Sequence, residues 1–539
     1  MKENKISIFN DVLGPVITGP SSSNTAGALR VTRMMRNLMP DFVKARVFVD
    51  DTPGAFAPTI EGLKSGVAFA AGLLDFEVDD TRIADARKIA AKQGLHISYE
   101  IKHFKDYGYA ELVEVVLENG KNESMDAVGA SIGGGMARLL EINGVPVSVS
   151  GSAYEILLYS RQKISEECCA EIGEIANTHI LIDDESVKAE GGEIYELRVE
   201  KCLNQEIKDT IRRVAADYDV KAFFFEPILT IPERKQDIKL PFQTAAEMDS
   251  YLGGNGKNMF EAAMDYETAR SGWSREQVMD YAVYLVDGMR RSTEDGLKAD
   301  YQMTGYSVPY SDKLKAAYET RKKIAPMGVA ENASYYAMSV MELNSGMGRI
   351  VTCPTAGSSG IMPGVLLSMI DHYHLSDERA AEALLVGGLV GMFVAHLANF
   401  DGSDGACQAE VASGCAMAAA SACYLMGGTT KQIENAAVLS FESLMGLICD
   451  PVAMYPEVPC ILRNPMGSTV AFTMANLALT GYDPFIPLDE IIIAMRDVGY
   501  AIPPHIRCQR SGCCGTPTAL KIQERMQREH VFRYEEEEL

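Results

Sequence analysis

The 539-residue sequence predicts a multidomain chain. An α/β N-terminal domain is expected over 1–153, a small βαββαβ module over 154–230, a linker over 231–245 and an all-α domain over 246–539. Three observations carry this. The chain is longer than one ordinary hydrophobic core can serve. Short β-rich runs alternate with helical stretches up to about residue 240, and helical spacing dominates beyond it. The overall balance, 47% hydrophobic and 23% charged, is that of a globular chain rather than a disordered one.

The N-terminal elements follow from local pattern. Ala45 to Asp51 (ARVFVDD) reads as a strand, Asp85 to Gln93 as a helix, and Ala110 to Glu118 carries both signals. Gly133, Gly134 and Gly135 interrupt the pattern, as a turn or a close backbone approach requires. From Tyr154 to Leu229 the order is tidier. EILLYS is a strand, SEECCAEIGEIAN a helix, HILIDD and IYELRVEK two strands, NQEIKDTIRRVAADY a second helix and VKAFFFEPIL a last strand. That βαββαβ order predicts a ferredoxin-like module, and it resembles the ligand-binding module called ACT. Pro232 and Pro241 mark the linker. Beyond them, runs such as AEVASGCAMAAASACYLMGG put small residues where helices approach closely, the interior of an all-α domain.

Charge and cysteine content exclude several classes. The net charge is -24, so a phosphate backbone is repelled and nucleic acid is not an expected partner. The closing run Glu535 to Glu538 reads as a solvated tail. The stretch from Leu384 to Phe400 is apolar but short of a bilayer span and contains His396, so a buried helix is expected and no membrane partner. The first sixteen residues lack an apolar segment of signal-peptide length. Twelve cysteines without a secretory signal argue for reduced thiols or metal ligands in the cytoplasm.

Cys407, Cys449 and Cys460 each lie beside a helix-breaking signal: the glycine-rich DGSDGA, the pair Asp450-Pro451, and Pro459. No CxxC spacing is present, which disfavours structural zinc. Cys168, Cys169, Cys202, Cys353, Cys415 and Cys423 read as small buried apolar residues. Three thiolates suit a [4Fe–4S] cluster with one open iron, a Lewis acid able to make hydroxide a tolerable leaving group.

Long stretches of the chain resemble the bacterial iron–sulfur-dependent L-serine dehydratases, with that family's β and α parts fused. The α-like stretches are GRIVTCPTAGSSGIMPGVLL (348–367), ACQAEVASGCAMAAA (406–420) and CDPVAMYPEVPCILRN (449–464). The β-like ones are IFNDVLGPVITGPSSSNTAGALR (8–30), GAFAPTIEGLKSGVAFAAGLL (54–74) and SIGGG (131–135). The resemblance implies that 246–539 is catalytic and that Cys407, Cys449 and Cys460 ligate a [4Fe–4S] cluster. It implies β-elimination of L-serine to pyruvate and ammonia without pyridoxal phosphate, in a homodimer. Substrate-facing positions are then Ser21, Ser22, Ser23, Asn24 and Thr25 in one loop, and Thr355, Gly357, Ser358 and Ser359 in another. Asn344, Arg463 and Asn464 are also implied, with Arg463 suited to the substrate carboxylate. Cys508, Cys513 and Cys514 are candidates for a tail ligand to the open iron.

The sequence departs from the family where proton transfer is expected. Asn24 stands where GPSSSHT has histidine, and Leu63 where a GHGTD-like run has one. Imidazole titrates near neutral pH; an amide and an aliphatic chain do not. Lys64 serves as a base only if burial depresses its pKa, and a solvated lysine is the plainer reading. Leu462 replaces the family's glutamate before Arg463-Asn464. These changes leave open a different hydroxy-amino acid or β-substituted substrate, or a non-catalytic cluster protein that senses an amino acid.

Overall fold

The computed structural model describes residues 5–529 apart from 53–54, 58–59, 236–237, 401 and 507–510. It contains two compact units, Met1–Ser22 with Ile238–Val531, and Ser23–Asp237 with Phe532–Leu539.

The second unit is α/β. A six-stranded sheet runs in the order His96–Ile101, Phe42–Val49, Glu111–Asn119, Ser124–Ser131, Ala137–Ile142, Val145–Pro146. The first pair is parallel and the others antiparallel. Ala110 to Glu118, ambiguous in sequence, is strand because its alternate side chains Val113, Val115 and Leu117 are buried on one face of the sheet, with Leu112 buried on the other beside Phe104 and Ala130. Helices Ala28–Arg36 and Ser65–Leu73 pack together where Gly72 lies against Leu29; a Cβ there would stand 2.2 Å from the Leu29 carbonyl oxygen. Gly133, Gly134 and Gly135 all take positive φ, a turn only glycine makes without strain.

The βαββαβ order is observed over Tyr154–Ser160, Glu166–Asn177, Leu181–Ala189, Gly192–Val199, Gln205–Asp217 and Lys221–Phe225. Its antiparallel sheet is ordered Lys221–Phe225, Tyr154–Ser160, Gly192–Val199, Leu181–Ala189. Ser165 and Asn204 cap the two helices, which bury Cys168, Ile172, Ile211 and Ala215 against Ile156, Leu158 and Leu197.

The first unit is helical. Its interior is helix Asp377–Leu397, long and apolar enough for a membrane but with 78% of its apolar window buried inside the protein. Helices Ala330–Ser345, Ser413–Leu425 and Cys460–Leu479 complete that core.

Two points differ from expectation. The unit carries a little β structure, since Val16–Thr18 pairs antiparallel with Arg349–Val351. And the first 22 residues leave the expected 1–153 domain for the helical unit. The reason is apolar complementarity plus one buried acid. Gly388 and Gly391 open a slot in Asp377–Leu397 that receives Ile8, Leu13 and Val12. Buried Glu267 accepts the Ser7 hydroxyl at 2.9 Å and the Ile8 N–H at 2.8 Å.

Candidate active site

Cys407 sits at a break between two helical runs. Ala406 before it is held at φ 58°, a costly conformation for a residue with a side chain. After it, Gln408–Ala412 forms a wide π-helical turn, a feature that gathers at functional sites. Gln408 locks this turn in place. Its N–H donates to the Leu447 carbonyl (3.1 Å), its side-chain oxygen accepts the Gly446 N–H (2.7 Å), and its amide donates to the Met495 carbonyl (2.8 Å). Cys407 is thereby tied to the strand of chain that leads into Cys449.

Arg463 joins the second and third cysteines. It lies in the first turn of Cys460–Leu479 and donates to the Ile448 carbonyl at 2.8 Å and to the Asp450 carboxylate at 3.0 Å, gripping both neighbours of Cys449. Its charge also acts on Cys407 and Cys460, which with Asp450 hold it against the opposing effect of burial. Burial pushes the Cys407 thiol well above its ordinary range and the Cys460 thiol up to about 12. Cys449 is 5% exposed and disulfide-bonded.

The Thr355 loop closes over the same place. Thr355 Oγ1 donates to Glu410 at 2.5 Å. Asn464, fully buried, accepts the Gly360 N–H and donates to the Gly357 and Cys460 carbonyls, binding the loop to the Cys460 helix. Ser358 and Ser359 donate inward, to the carbonyls of Cys353 (3.1 Å) and Thr355 (2.7 Å), so they shape the loop. Asn344 donates to the Pro20 carbonyl at 3.2 Å and so holds the approach to Ser21 and Ser22.

Comparison with known proteins bears on this unit. The family model "Serine dehydratase alpha chain" matches residues 236–514. The chain belongs to that family. It is 33% identical to the L-serine dehydratase alpha chain of Peptoniphilus asaccharolyticus over 52% of this chain and 96% of that one. It is 42% identical to the probable L-serine dehydratase alpha chain of Latilactobacillus sakei over 35% and 91%. It is 32% identical to L-serine dehydratase 1 of Escherichia coli over 49% and 59%.

The donors of this serine dehydratase alpha-type unit fit an iron–sulfur cluster. Cys407 and Cys460 are close enough for their charges to act on each other. Burial disfavours both thiolates even with Arg463 beside them, and iron would add the positive charge that offsets it; Cys449 would have to be reduced to join them. Of the tail cysteines, Cys513 comes to the same place, its N–H donating to Asp450 at 2.7 Å. Cys514 is buried, with its thiol on the Ser511 carbonyl. Cys508 lies outside the described residues.

Sequence reasoning missed three acids. Asp450 takes Arg463 and Cys513 together. Glu457, fully buried, accepts three backbone N–H groups from Gly305, Tyr306 and Ser307, at 2.9, 3.0 and 2.8 Å. Glu410 stands three residues after Cys407. Its signal was present: it is the only charged residue from Ala406 to Tyr424. Arg463, singled out for a substrate carboxylate, donates to the Ile448 carbonyl and the Asp450 carboxylate.

In the α/β unit the two departures from the family lie together. Thr25 Oγ1 donates to the Leu63 carbonyl at 2.7 Å, and Asn24 donates to the Glu111 carboxylate. The Ser131 hydroxyl fixes the Ser23 carbonyl. Lys64 adopts a left-handed conformation and lies 3.8 Å from Glu61.

Proposed function

We propose that this chain dehydrates and deaminates L-serine to pyruvate and ammonia through a [4Fe–4S] cluster held by Cys407, Cys449 and Cys460. The observation that carries the reading is Arg463, which grips both neighbours of Cys449 while its charge acts on Cys407 and Cys460. When bound, the cluster supplies an open Lewis-acid iron for loss of the β-hydroxyl. The chain's own residues do the rest. Gln408 and Arg463 fix the cysteine-bearing loops, and Asn464 fixes the Thr355–Gly360 loop against them. That loop holds the substrate, with Ser21 and Ser22, whose approach Asn344 fixes through the Pro20 carbonyl. Removal of the Cα proton and loss of hydroxide give 2-aminoacrylate and water; tautomerisation and hydrolysis then give pyruvate and ammonia. We assign the N-terminal half to the family's β-like part, the βαββαβ segment to an ACT-like ligand module, and the whole to a cytoplasmic homodimer.

The test is anaerobic release of ammonia and 2-keto acid from L-serine by iron- and sulfide-reconstituted protein beside Cys407→Ala. Product from wild type alone supports the reading; equal product from both refutes it. A second reading keeps the chemistry but changes the substrate. It is favoured by Asn24 and Leu63, neither of which transfers a proton, and a bulkier β-substituted amino acid turned over faster than serine would establish it.

A further inference from the structure

We propose that two copies of this chain pair through one apolar face of the helical unit. That face is the outer stripe of helix Cys460–Leu479, the hollow beside it and the projecting side chain of Phe485. The inference rests on the homodimer assigned above and names the surface that makes it.

The first observation is the pattern of the helix. Leu462, Met466, Thr473 and Leu477 are exposed and recur at intervals of one and two turns, so they share one stripe. The helix has 20 residues, a length of about 30 Å. A solvent-facing helix stripe ordinarily carries charge. Here Arg463 and Asp483 are the charged residues between Cys460 and Pro487, and both have partners within the chain. Leu462, where the resembled family has glutamate, adds an apolar side chain to the stripe.

The second observation is the hollow. Met327, Tyr373, Met426 and Phe472 line a cavity of about 290 Å³ that Thr469 and Thr473 of the same helix border. None of the described residues lining it is charged. Its volume is at the small end for a ligand cavity, and methionine walls adapt to whatever packs on them.

The third is Phe485. It is 86% exposed and held at φ 65°, a strained backbone for a bulky residue. The Asp483 carboxylate accepts its N–H at 2.8 Å and so maintains the turn. A fixed aromatic held out in water is the form of an interface anchor. Tyr482 and Ile486 beside it are exposed too. Six of the 17 exposed large apolar side chains among the described residues fall between 462 and 486, a cluster rather than a scatter.

Charge and shape select a second copy as the occupant. The chain carries a net charge of -24, so two copies repel over most of their surface and approach most easily where charge is missing. A two-fold interface must also be complementary to itself, and this face holds both a projection and a hollow.

The experiment measures the dimer dissociation constant by sedimentation of reconstituted, anaerobic full chains. Wild type is compared with Phe485→Asp, Met466→Glu and a control, Ile101→Asp, whose exposed side chain lies in the α/β unit. Circular dichroism and thermal unfolding check that each variant is folded. Wild type and Ile101→Asp should dimerise alike. Phe485→Asp and Met466→Glu should each raise Kd on the order of thirtyfold or more, as loss of an interface anchor does. If one of the two fails to fold, the other decides. An unchanged Kd in a folded Phe485→Asp or Met466→Glu, or an equal rise in Ile101→Asp, overturns this face while the homodimer stands. A monomeric wild type overturns both, and neither result touches the lyase reading.

Discussion

Glu457 in the helical unit and Glu155 in the βαββαβ module are both fully buried, and they are treated oppositely. Glu457 meets three converging N–H groups. Glu155 receives the Gly151 N–H at 3.1 Å on one oxygen, while the other has no hydrogen-bond partner among the described residues. Burial raises both carboxyls, but at Glu457 the amides work against it, whereas at Glu155 burial and nearby Glu196 carry the carboxyl to about 8. One region spends its buried charge on fixing backbone around the cysteines. The other keeps a carboxyl that is neutral over much of the physiological range.

The sharpest way to break this contrast is Glu457→Ala. It strands three half-buried N–H groups, so the helical unit should lose about 3 kcal/mol in chemical denaturation, with the 305–307 loop exchanging its amide hydrogens first. Glu155→Gln should act in the opposite sense at high pH. A carboxyl whose folded pKa exceeds its ordinary value stabilises fully below that ordinary value, and the contribution is lost as pH rises towards 8. The wild-type module should therefore weaken between pH 5 and pH 9 by on the order of a few kcal/mol, and the glutamine variant should stay flat. Thermal melts at the two pH values read this directly. Arg463→Lys keeps the charge but loses the two-pronged grip on Ile448 and Asp450. A loss of roughly 1–3 kcal/mol, seen as lowered iron retention at unchanged helical content, is expected. The smallest effect is Asn258→Ala, which removes a capping box on helix Met259–Ser271 and should cost about 1 kcal/mol with activity intact.

The sequence made much of this visible for identifiable reasons. Periodicity places the two βαββαβ helices because each has one buried face, and breaker residues flag the three cysteine loops because helices end there. What stayed hidden was long-range. Nothing local says that the Ser7 hydroxyl and Ile8 N–H meet Glu267, so the first 22 residues read as part of the following domain. The grip of Arg463 on Ile448 and Asp450 was equally hidden, because those partners lie in a separate loop. Glu410 went unnoticed because an acid beside a cysteine motif carries no periodic signal, although its isolation among uncharged residues was there to be read. The family comparison covers the helical unit, where the sequence motifs are densest.

The route of the chain sets how the protein would respond to being cut. The stretch through Ser22 is built into the helical unit by the Val16–Thr18 ribbon, by Glu267 and by the slot in Asp377–Leu397, before the chain leaves to form the α/β unit and returns at Ile238. A protease nick near residue 237 would thus yield two polypeptides that remain fastened, the amino-terminal fragment keeping its first residues inside the carboxy-terminal one. Two separately expressed fragments divided there should likewise recombine, while a version lacking the first 22 residues should leave the helical fragment with an open slot and an unsatisfied acid.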